Sequence, residues 1–273
     1  MASAHSVEIE VQDRSVRRRE VWWLMSMLAL GTATVFFYSA YLVIGTGSPL
    51  SQSGLYILMT AIVLGSPFGP YLSDLVGLPV SPALKRYLTG NDVGHLLLVA
   101  TGRGFLLALL LLPLIPAEQW LVTRLLHLPL VLGLRFAPKQ WMTANVVVLL
   151  VFISSIGAPL FEEITFRVFV FALLAWLIGK LRGSTGAPSF GVLLAANVGQ
   201  ALIAGLGHVL GGANGLPIGP WYMQVLVSPQ TLGSFALGLV YWRFGLETSM
   251  LTHFWANFLG NVIPVWLYYH HLL

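Results

Sequence analysis

Long apolar runs dominate the chain, and the short loops between them carry most of the proline, glycine and charge. Most runs are about 20 residues long, which is the length of an apolar helix that crosses the hydrocarbon core of a bilayer. The pattern therefore predicts an all-α fold, a polytopic transmembrane helical bundle of about eight spans. The runs fall near residues 21–45, 54–79, 93–116, 119–136, 141–160, 161–179, 190–210, 222–242 and 246–268.

Three places in this pattern leave the number of spans open. Run 54–79 contains Pro67, Pro70 and Asp74, so it either spans or is broken and partly re-entrant. Run 119–136 carries Arg124 and His127 and either spans or lies in the membrane interface. Runs 141–160 and 161–179 meet at a glycine and a proline without a polar loop, so they form either one long kinked helix or two spans.

Composition strengthens the membrane interpretation. Only 9% of the 273 residues are charged and 57% are hydrophobic, whereas soluble proteins contain roughly 25% charged residues. So few charges cannot cover a water-facing surface, which excludes a soluble domain, a disordered chain and a nucleic-acid binder of the usual type. The absence of cysteine excludes disulfides and thiol chemistry.

Positive charge predicts the orientation, because cytoplasmic loops carry an excess of lysine and arginine. Four arginines lie within residues 1–20, so we expect a cytoplasmic basic N-terminal segment there. Loop 46–53 has no charge and is expected outside. The basic loops that contain Lys139 and Lys180 both fall inside if run 119–136 spans and residues 141–179 form two helices.

Of the ten acidic residues, Asp74, Glu162 and Glu163 alone lie at membrane depth. An ionisable residue there is costly unless it is paired or solvated in a cavity, so it is a functional candidate. Glu163 and Arg167 are four residues apart, share a helix face and can pair. Glu162 lies about 100° further round the helix, where a carboxylate in a low-dielectric cavity suits a general acid or base. Alternatively, the pair and Arg167 form one ion network that locks helices together.

A second polar position is His208, which ends a run of small and apolar residues. Asn197, Ala201 and Ala204 fall on roughly the same helical face as His208. This face indicates either a site residue or a packing histidine that is hydrogen-bonded to a carbonyl group.

A third polar position is the pair His253 and Asn257, four residues apart, with Asn261 continuing the same face. An imidazole and a carboxamide in an apolar helix must face the bundle interior, where they hold a water, a metal or an oxyanion, or join helices. An acid, an imidazole, and an imidazole with an amide, from three helices, form the minimum set that activates a water and stabilises a tetrahedral oxyanion.

Together these motifs resemble the CAAX protease and bacteriocin-processing (CPBP) family of intramembrane glutamate-dependent endopeptidases, often described as metalloproteases. The resemblance rests on Glu-Glu-x-x-x-Arg at 162–167, on His208 and on His-x-x-x-Asn at 253–257, and it covers about 141–262. One departure is Ala204, because the family usually has an aromatic residue four positions before the second motif's histidine.

The resemblance implies a role for each motif residue. Glu162 would activate the attacking water, and the other groups would position the water or a metal and stabilise the oxyanion. Two histidines and a glutamate also match a three-ligand zinc site, with Glu162, His208 and His253 as ligands. We favour no tightly bound metal, because asparagine is a poor zinc ligand and Glu162 is then available as the base. The implied catalytic residues are Glu162, His208, His253 and Asn257, supported by Glu163 and Arg167.

The implied function is an intramembrane endopeptidase that hydrolyses a peptide bond of a membrane-associated substrate by glutamate-activated water. The substrates implied are prenylated CAAX-type C-termini in eukaryotes or peptide precursors in bacteria. The implied membranes are the endoplasmic reticulum and the inner or plasma membrane, respectively. We expect membrane lipids and a peptide or lipidated protein as partners, and no nucleic acid. Two alternatives are a non-catalytic membrane immunity or scaffold protein and a transporter, since broken helices and buried charges also mark transport pathways.

These expectations divide the chain into four parts. They are the basic segment 1–20, N-terminal transmembrane helices 21–140, a CPBP-like catalytic helical core 141–268, and a tail 269–273.

Overall fold

The computed structural model describes residues 19–28, 30, 65–113, 143–184, 186–210 and 229–270. Several expectations fall outside these residues, namely run 119–136, loop 46–53, the loop that contains Lys139, most of the basic N-terminal segment and most of the tail.

The elements within the described residues are helical, which confirms the predicted all-α fold. Most are regular α-helices, and two segments have the wider π-helical geometry. In chain order they are helix α1 (19–28), a 3₁₀ turn (Ser66–Phe68), α2 (Gly69–Leu75), α3 (Pro82–Leu88), α4 (Gly94–Leu111), α5 (Ala144–Glu162), a first π segment (Glu163–Phe171), α6 (Ala172–Leu181), α7 (Phe190–Leu210), α8 (Pro229–Phe244), α9 (Leu246–Asn257), a second π segment (Phe258–Val262) and α10 (Ile263–Tyr269).

Three described helices are long and apolar enough to cross a membrane, by length and composition. They are Gly94–Leu111, Ala144–Leu181 and Phe190–Gly207. Their length and apolar composition support an integral membrane protein. The figure of about eight spans stays a prediction.

The open alternative at 141–179 is decided in favour of one helix. Residues Ala144–Leu181 run continuously for 38 residues through α5, the first π segment and α6. At about 1.5 Å per residue this helix is about 57 Å long, so its two ends lie far apart. Lys139 and Lys180 could lie on one side of the membrane only if two helices separated them. That placement is therefore not supported, and the orientation of the N-terminus stays a prediction.

The N-terminal helices pack directly against the C-terminal ones. Helix α4 lies against α9, and at the crossing a Cβ atom on Gly104 would lie 2.9 Å from both Leu251 Cβ and the Thr252 nitrogen. Only glycine allows this approach, because real Cβ contacts are not that short. The rings of Phe105 and Trp255 meet edge to face beside it, with centroids 5.2 Å apart. Helix α4 thereby supports the helix that carries His253.

Candidate active site

The first π segment begins at Glu163, directly after Glu162 ends α5. Pro159 precedes it by one turn and has no N–H group for the helical ladder. Isolated π-helical turns are rare and occur frequently at functional sites. Here the segment is almost fully buried, and its Val168 carbonyl oxygen accepts a hydrogen bond from Ser73 Oγ at 2.7 Å. A neighbouring helix therefore holds the backbone of the segment in place.

Glu163 is fully buried and lies at the centre of a polar cluster. Its Oε2 atom is 3.2 Å from Arg167 Nε, the i, i+4 pair that the sequence spacing predicts. The same oxygen accepts a hydrogen bond from Ser249 Oγ at 2.5 Å. Its Oε1 atom lies 2.9 Å from His253 Nδ1. Two groups of α9 thus meet one carboxylate of the π segment.

The imidazole of His253 lies between the two adjacent glutamates. While Nδ1 faces Glu163, His253 Nε2 lies 4.0 Å from Glu162 Oε2. The His253 and Glu162 side chains are 12% and 18% exposed, whereas Glu163 is not exposed at all. The adjacent acids therefore differ in exposure: Glu163 is enclosed among its partners, whereas Glu162 is partly exposed.

Arg167 connects this cluster to helices α7 and α8. Its Nη2 atom donates to the Ser234 carbonyl at 3.3 Å, and Gln200 Nε2 donates to the same oxygen at 2.9 Å. Asn197 Nδ2 donates to the Phe235 carbonyl at 3.0 Å and Asn197 Oδ1 accepts from Gln200 at 2.8 Å. The polar side chains of α7 thus hydrogen-bond to backbone carbonyl groups of α8 and hold these two helices together.

The remaining motif residues are placed along α7 and α9. His208 lies in the last turn of α7, and its side chain lies outside the described part of the chain. Asn257 is half-buried and ends α9, one turn beyond His253. Asn261 is exposed, so the expectation that it continues the inward face was wrong. It lies in the second π segment, whose wider turns rotate the helix face relative to α9 and bury Val262 instead.

The site lies within a segment that a known family matches. The model of the Rce1-like family, described as type II CAAX prenyl endopeptidase Rce1-like, matches residues 143–259. These residues are similar to the Rce1-like family. The match confirms the resemblance based on the three motifs, and it supports an intramembrane protease of the CAAX type. No curated protein and no solved structure matches the chain.

Within the Rce1-like segment, Ala204 departs from the family pattern. Ala204 is 2% exposed and packs with Phe166 and Val170, both on the first π segment. The Phe166 ring of the π segment therefore packs against Ala204, the position on α7 at which the family usually has an aromatic residue.

The described side chains of the Rce1-like segment show whether the site suits a metal ion. Among the described side chains, no group of three or more histidines and acids is arranged to hold a metal ion. Tetrahedral zinc, with ligand bonds of about 2.0–2.2 Å, places two ligands about 3.4 Å apart. A water whose oxygen lies about 2.8 Å from each of two polar atoms bridges a separation of about 4.0 Å when the angle at the water oxygen is close to 90°. The 4.0 Å between Glu162 Oε2 and His253 Nε2 thus fits a bridging water better than a tetrahedral zinc.

Sequence reasoning missed two contacts of this Rce1-like site. One is the bond from His253 to Glu163, which joins positions 90 residues apart. The other involves Ser249, which is absent from the predicted set although it precedes His253 by four residues and so shares its helix face. That spacing is the signal that could have indicated Ser249.

Proposed function

We propose that this Rce1-like chain is an intramembrane endopeptidase in which Glu162 activates the attacking water. The observation that carries the proposal is the 4.0 Å separation of Glu162 Oε2 and His253 Nε2, both on partly exposed side chains. A general base must come within hydrogen-bond reach of the proton that it removes, directly or through one water. A single water between these two atoms would satisfy that condition.

The proton arrangement around His253 gives this water its reactivity. A carboxylate only accepts hydrogen bonds, so the proton between Glu163 and His253 belongs to Nδ1. In the neutral imidazole, Nε2 is then an acceptor. A water between two acceptors donates one hydrogen to Glu162 and one to His253. Its oxygen lone pairs consequently point away from both groups, towards a substrate carbonyl.

The proposed hydrolysis has two steps. The water oxygen forms a bond to the scissile carbonyl carbon, and Glu162 takes one water proton as the carbonyl oxygen becomes an oxyanion. The tetrahedral intermediate then collapses, the carbon–nitrogen bond breaks, and the proton on Glu162 passes to the leaving amine. The products are a carboxylic acid and an amine, and Glu162 is regenerated as a carboxylate.

Asn257 and His208 are the proposed oxyanion-stabilising groups. Asn257 lies one turn from His253 on the same helix, and its amide can donate to a developing negative charge. His208 is assigned by its position in the second motif of the family resemblance. The buried pair Glu163 and Arg167 would position His253 and would not touch the substrate.

The proposed substrate is a membrane-associated peptide, with prenylated CAAX-type peptides as the first class to test. The family description names prenyl endopeptidases. The described helices that could span a membrane would place the site where a lipid-anchored peptide can reach it. A peptide precursor without a lipid is the second class, and the same assay run with the unprenylated peptide distinguishes the two.

The test is cleavage of a quenched-fluorescent prenylated peptide by the chain reconstituted in liposomes. Glu162→Gln keeps the size of the side chain but removes the base, and we expect cleavage to fall by about 10²- to 10⁴-fold. The matched control is Glu20→Gln, a change at an exposed glutamate of α1, which should leave cleavage unchanged. Full cleavage by Glu162→Gln would overturn the proposal, and solute flux across the liposomes without any cleavage would favour a transporter.

A further inference from the structure

Ser249 is fully buried on α9, one turn before His253. Its hydroxyl donates to Glu163 Oε2 at 2.5 Å and lies 3.0 Å from the carbonyl oxygen of Leu237 on α8. A serine hydroxyl has a single proton. Because hydrogen bonds to charged groups are the stronger ones, the carboxylate is the preferred acceptor of that proton, and the Leu237 carbonyl oxygen is the alternative acceptor.

The contacts of Glu163 are divided between its two oxygens. Oε2 faces Ser249 and Arg167, and Oε1 faces His253. Oε2 holds the hydrogen bond from Ser249 and the ion contact with Arg167, so the carboxylate cannot rotate without breaking both. Oε1 is thereby held at 2.9 Å from His253 Nδ1. Ser249 also lies on the same helix as His253, so its hydroxyl sets the position of Glu163 relative to that imidazole.

We propose that Ser249 is a positioning residue that fixes the tautomer of His253 through Glu163. With Ser249 in place, Glu163 Oε1 accepts the Nδ1 proton, and Nε2 presents its lone pair on the side of Glu162. Without the hydroxyl, Glu163 retains Arg167 as a partner but can turn Oε1 away. The imidazole then loses the contact that keeps the proton on Nδ1. The catalytic consequence rests on the proposed function, whereas the effect on the tautomer does not.

Two variants of Ser249 distinguish the effect of the hydroxyl group from the effect of side-chain volume. Ser249→Ala removes the hydroxyl and adds no atoms, so it creates no clash. Ser249→Thr keeps a hydroxyl at the same position. The control is Ser155→Ala, which removes another buried serine hydroxyl, one that donates to the Val151 carbonyl of its own helix at 2.8 Å.

The experiment has two readouts on the full chain in lipid. Nitrogen-15 NMR of histidine-labelled protein reports the tautomer, and the His253 signal is identified by its loss in His253→Gln. Cleavage of the prenylated peptide gives kcat and KM. For Ser249→Ala we expect a mixture of His253 tautomers. We expect kcat to fall about ten- to a hundredfold, the effect of losing a hydrogen bond to a charged group. KM should stay within about twofold, because Ser249 is buried and does not touch the substrate.

Ser249→Thr should recover the Nδ1–H tautomer and most of kcat, and Ser155→Ala should match the unmodified chain. The proposal is wrong if Ser249→Ala keeps both the tautomer and kcat. It is also wrong if kcat falls while the tautomer is unchanged, because that result indicates a structural role alone. If Glu162→Gln cleaves fully while Ser249→Ala still changes the tautomer, the proposed function fails and the positioning role stands.

Discussion

Glu163 and His253, 90 positions apart in sequence, are joined by a 2.9 Å contact between Oε1 and Nδ1. The contact connects the first π segment to α9, the two elements that carry the Glu-Glu-x-x-x-Arg and His-x-x-x-Asn motifs. It places the second imidazole nitrogen 4.0 Å from Glu162. The orientation of the His253 imidazole, which faces the proposed base Glu162, thus depends on Glu163.

Breaking the buried pair Glu163 and Arg167 should destabilise the fold as well as reduce activity. Glu163→Gln leaves the Arg167 guanidinium, which is 1% exposed, without its counter-charge. Loss of one member of a buried ion pair lowers the free energy of unfolding by about 3–5 kcal/mol. We expect a lower Tm in lipid nanodiscs, measured by tryptophan fluorescence.

A double variant distinguishes this electrostatic cost from lost packing. Glu163→Gln combined with Arg167→Met removes both charges, so Tm should recover relative to Glu163→Gln alone. Cleavage should not recover, because the contact to His253 is still changed. A Tm for Glu163→Gln equal to that of Glu20→Gln would contradict the assignment.

Gly238 of α8 should tolerate no side chain. A Cβ atom there would lie 1.8 Å from Asn197 Oδ1 and 2.9 Å from Gln200 Nε2. Gly238→Ala must therefore separate α7 from α8 or displace the two amides, at a cost of about 1–3 kcal/mol or more. Gly157 in α5 is the matched control, because its Cβ would meet nothing within 4 Å. Gly157→Ala should raise stability by up to about 1 kcal/mol, since alanine favours a helix. Equal effects of the two changes on thermal unfolding would show that the α7–α8 contact is not close.

The parts of the site that could be predicted from the sequence are those that depend on local spacing. The pairing of Glu163 with Arg167 follows from a four-residue separation on one helix. The all-α fold follows from apolar runs of about the length of a span. The continuous helix Ala144–Leu181 was one of two alternatives, because a glycine and a proline between apolar residues allow both a kink and a turn.

The parts that could not be predicted depend on how helices pack. Which oxygen of Glu163 meets His253 is set by the approach of α9 to the π segment, and neither motif contains that information. Asn261 was misplaced because a π-helical turn interrupts the period of 3.6 residues on which the face was counted. The amides of Asn197 and Gln200 bind carbonyls of α8, a role that the polar positions of α7 alone do not reveal.

Hydrolysis should not require a tightly bound zinc ion. The described pair Glu162 and His253 is 4.0 Å apart, which suits a bridging water better than tetrahedral zinc. Elemental analysis of the purified chain should therefore find well under one zinc per chain, and cleavage should persist after dialysis against a chelator. Stoichiometric zinc, with activity lost on chelation and restored by added zinc, would contradict this expectation and favour the alternative zinc site with Glu162, His208 and His253 as ligands.

The first π segment should depend on Ser73 for its local stability. Ser73 Oγ donates to the Val168 carbonyl at 2.7 Å and lies 3.1 Å from Tyr241 Oη, and all three groups are buried. Ser73→Ala leaves the carbonyl and the phenol without this partner, which costs about 1–3 kcal/mol. Hydrogen–deuterium exchange across residues 163–171 should then accelerate by about tenfold or more, and cleavage should fall because Glu163 begins the segment. Ser155→Ala removes a buried hydroxyl that bonds within its own helix, so it should change neither measurement. Unchanged exchange across 163–171 in Ser73→Ala would show that the π geometry is held by the packing of its own side chains instead.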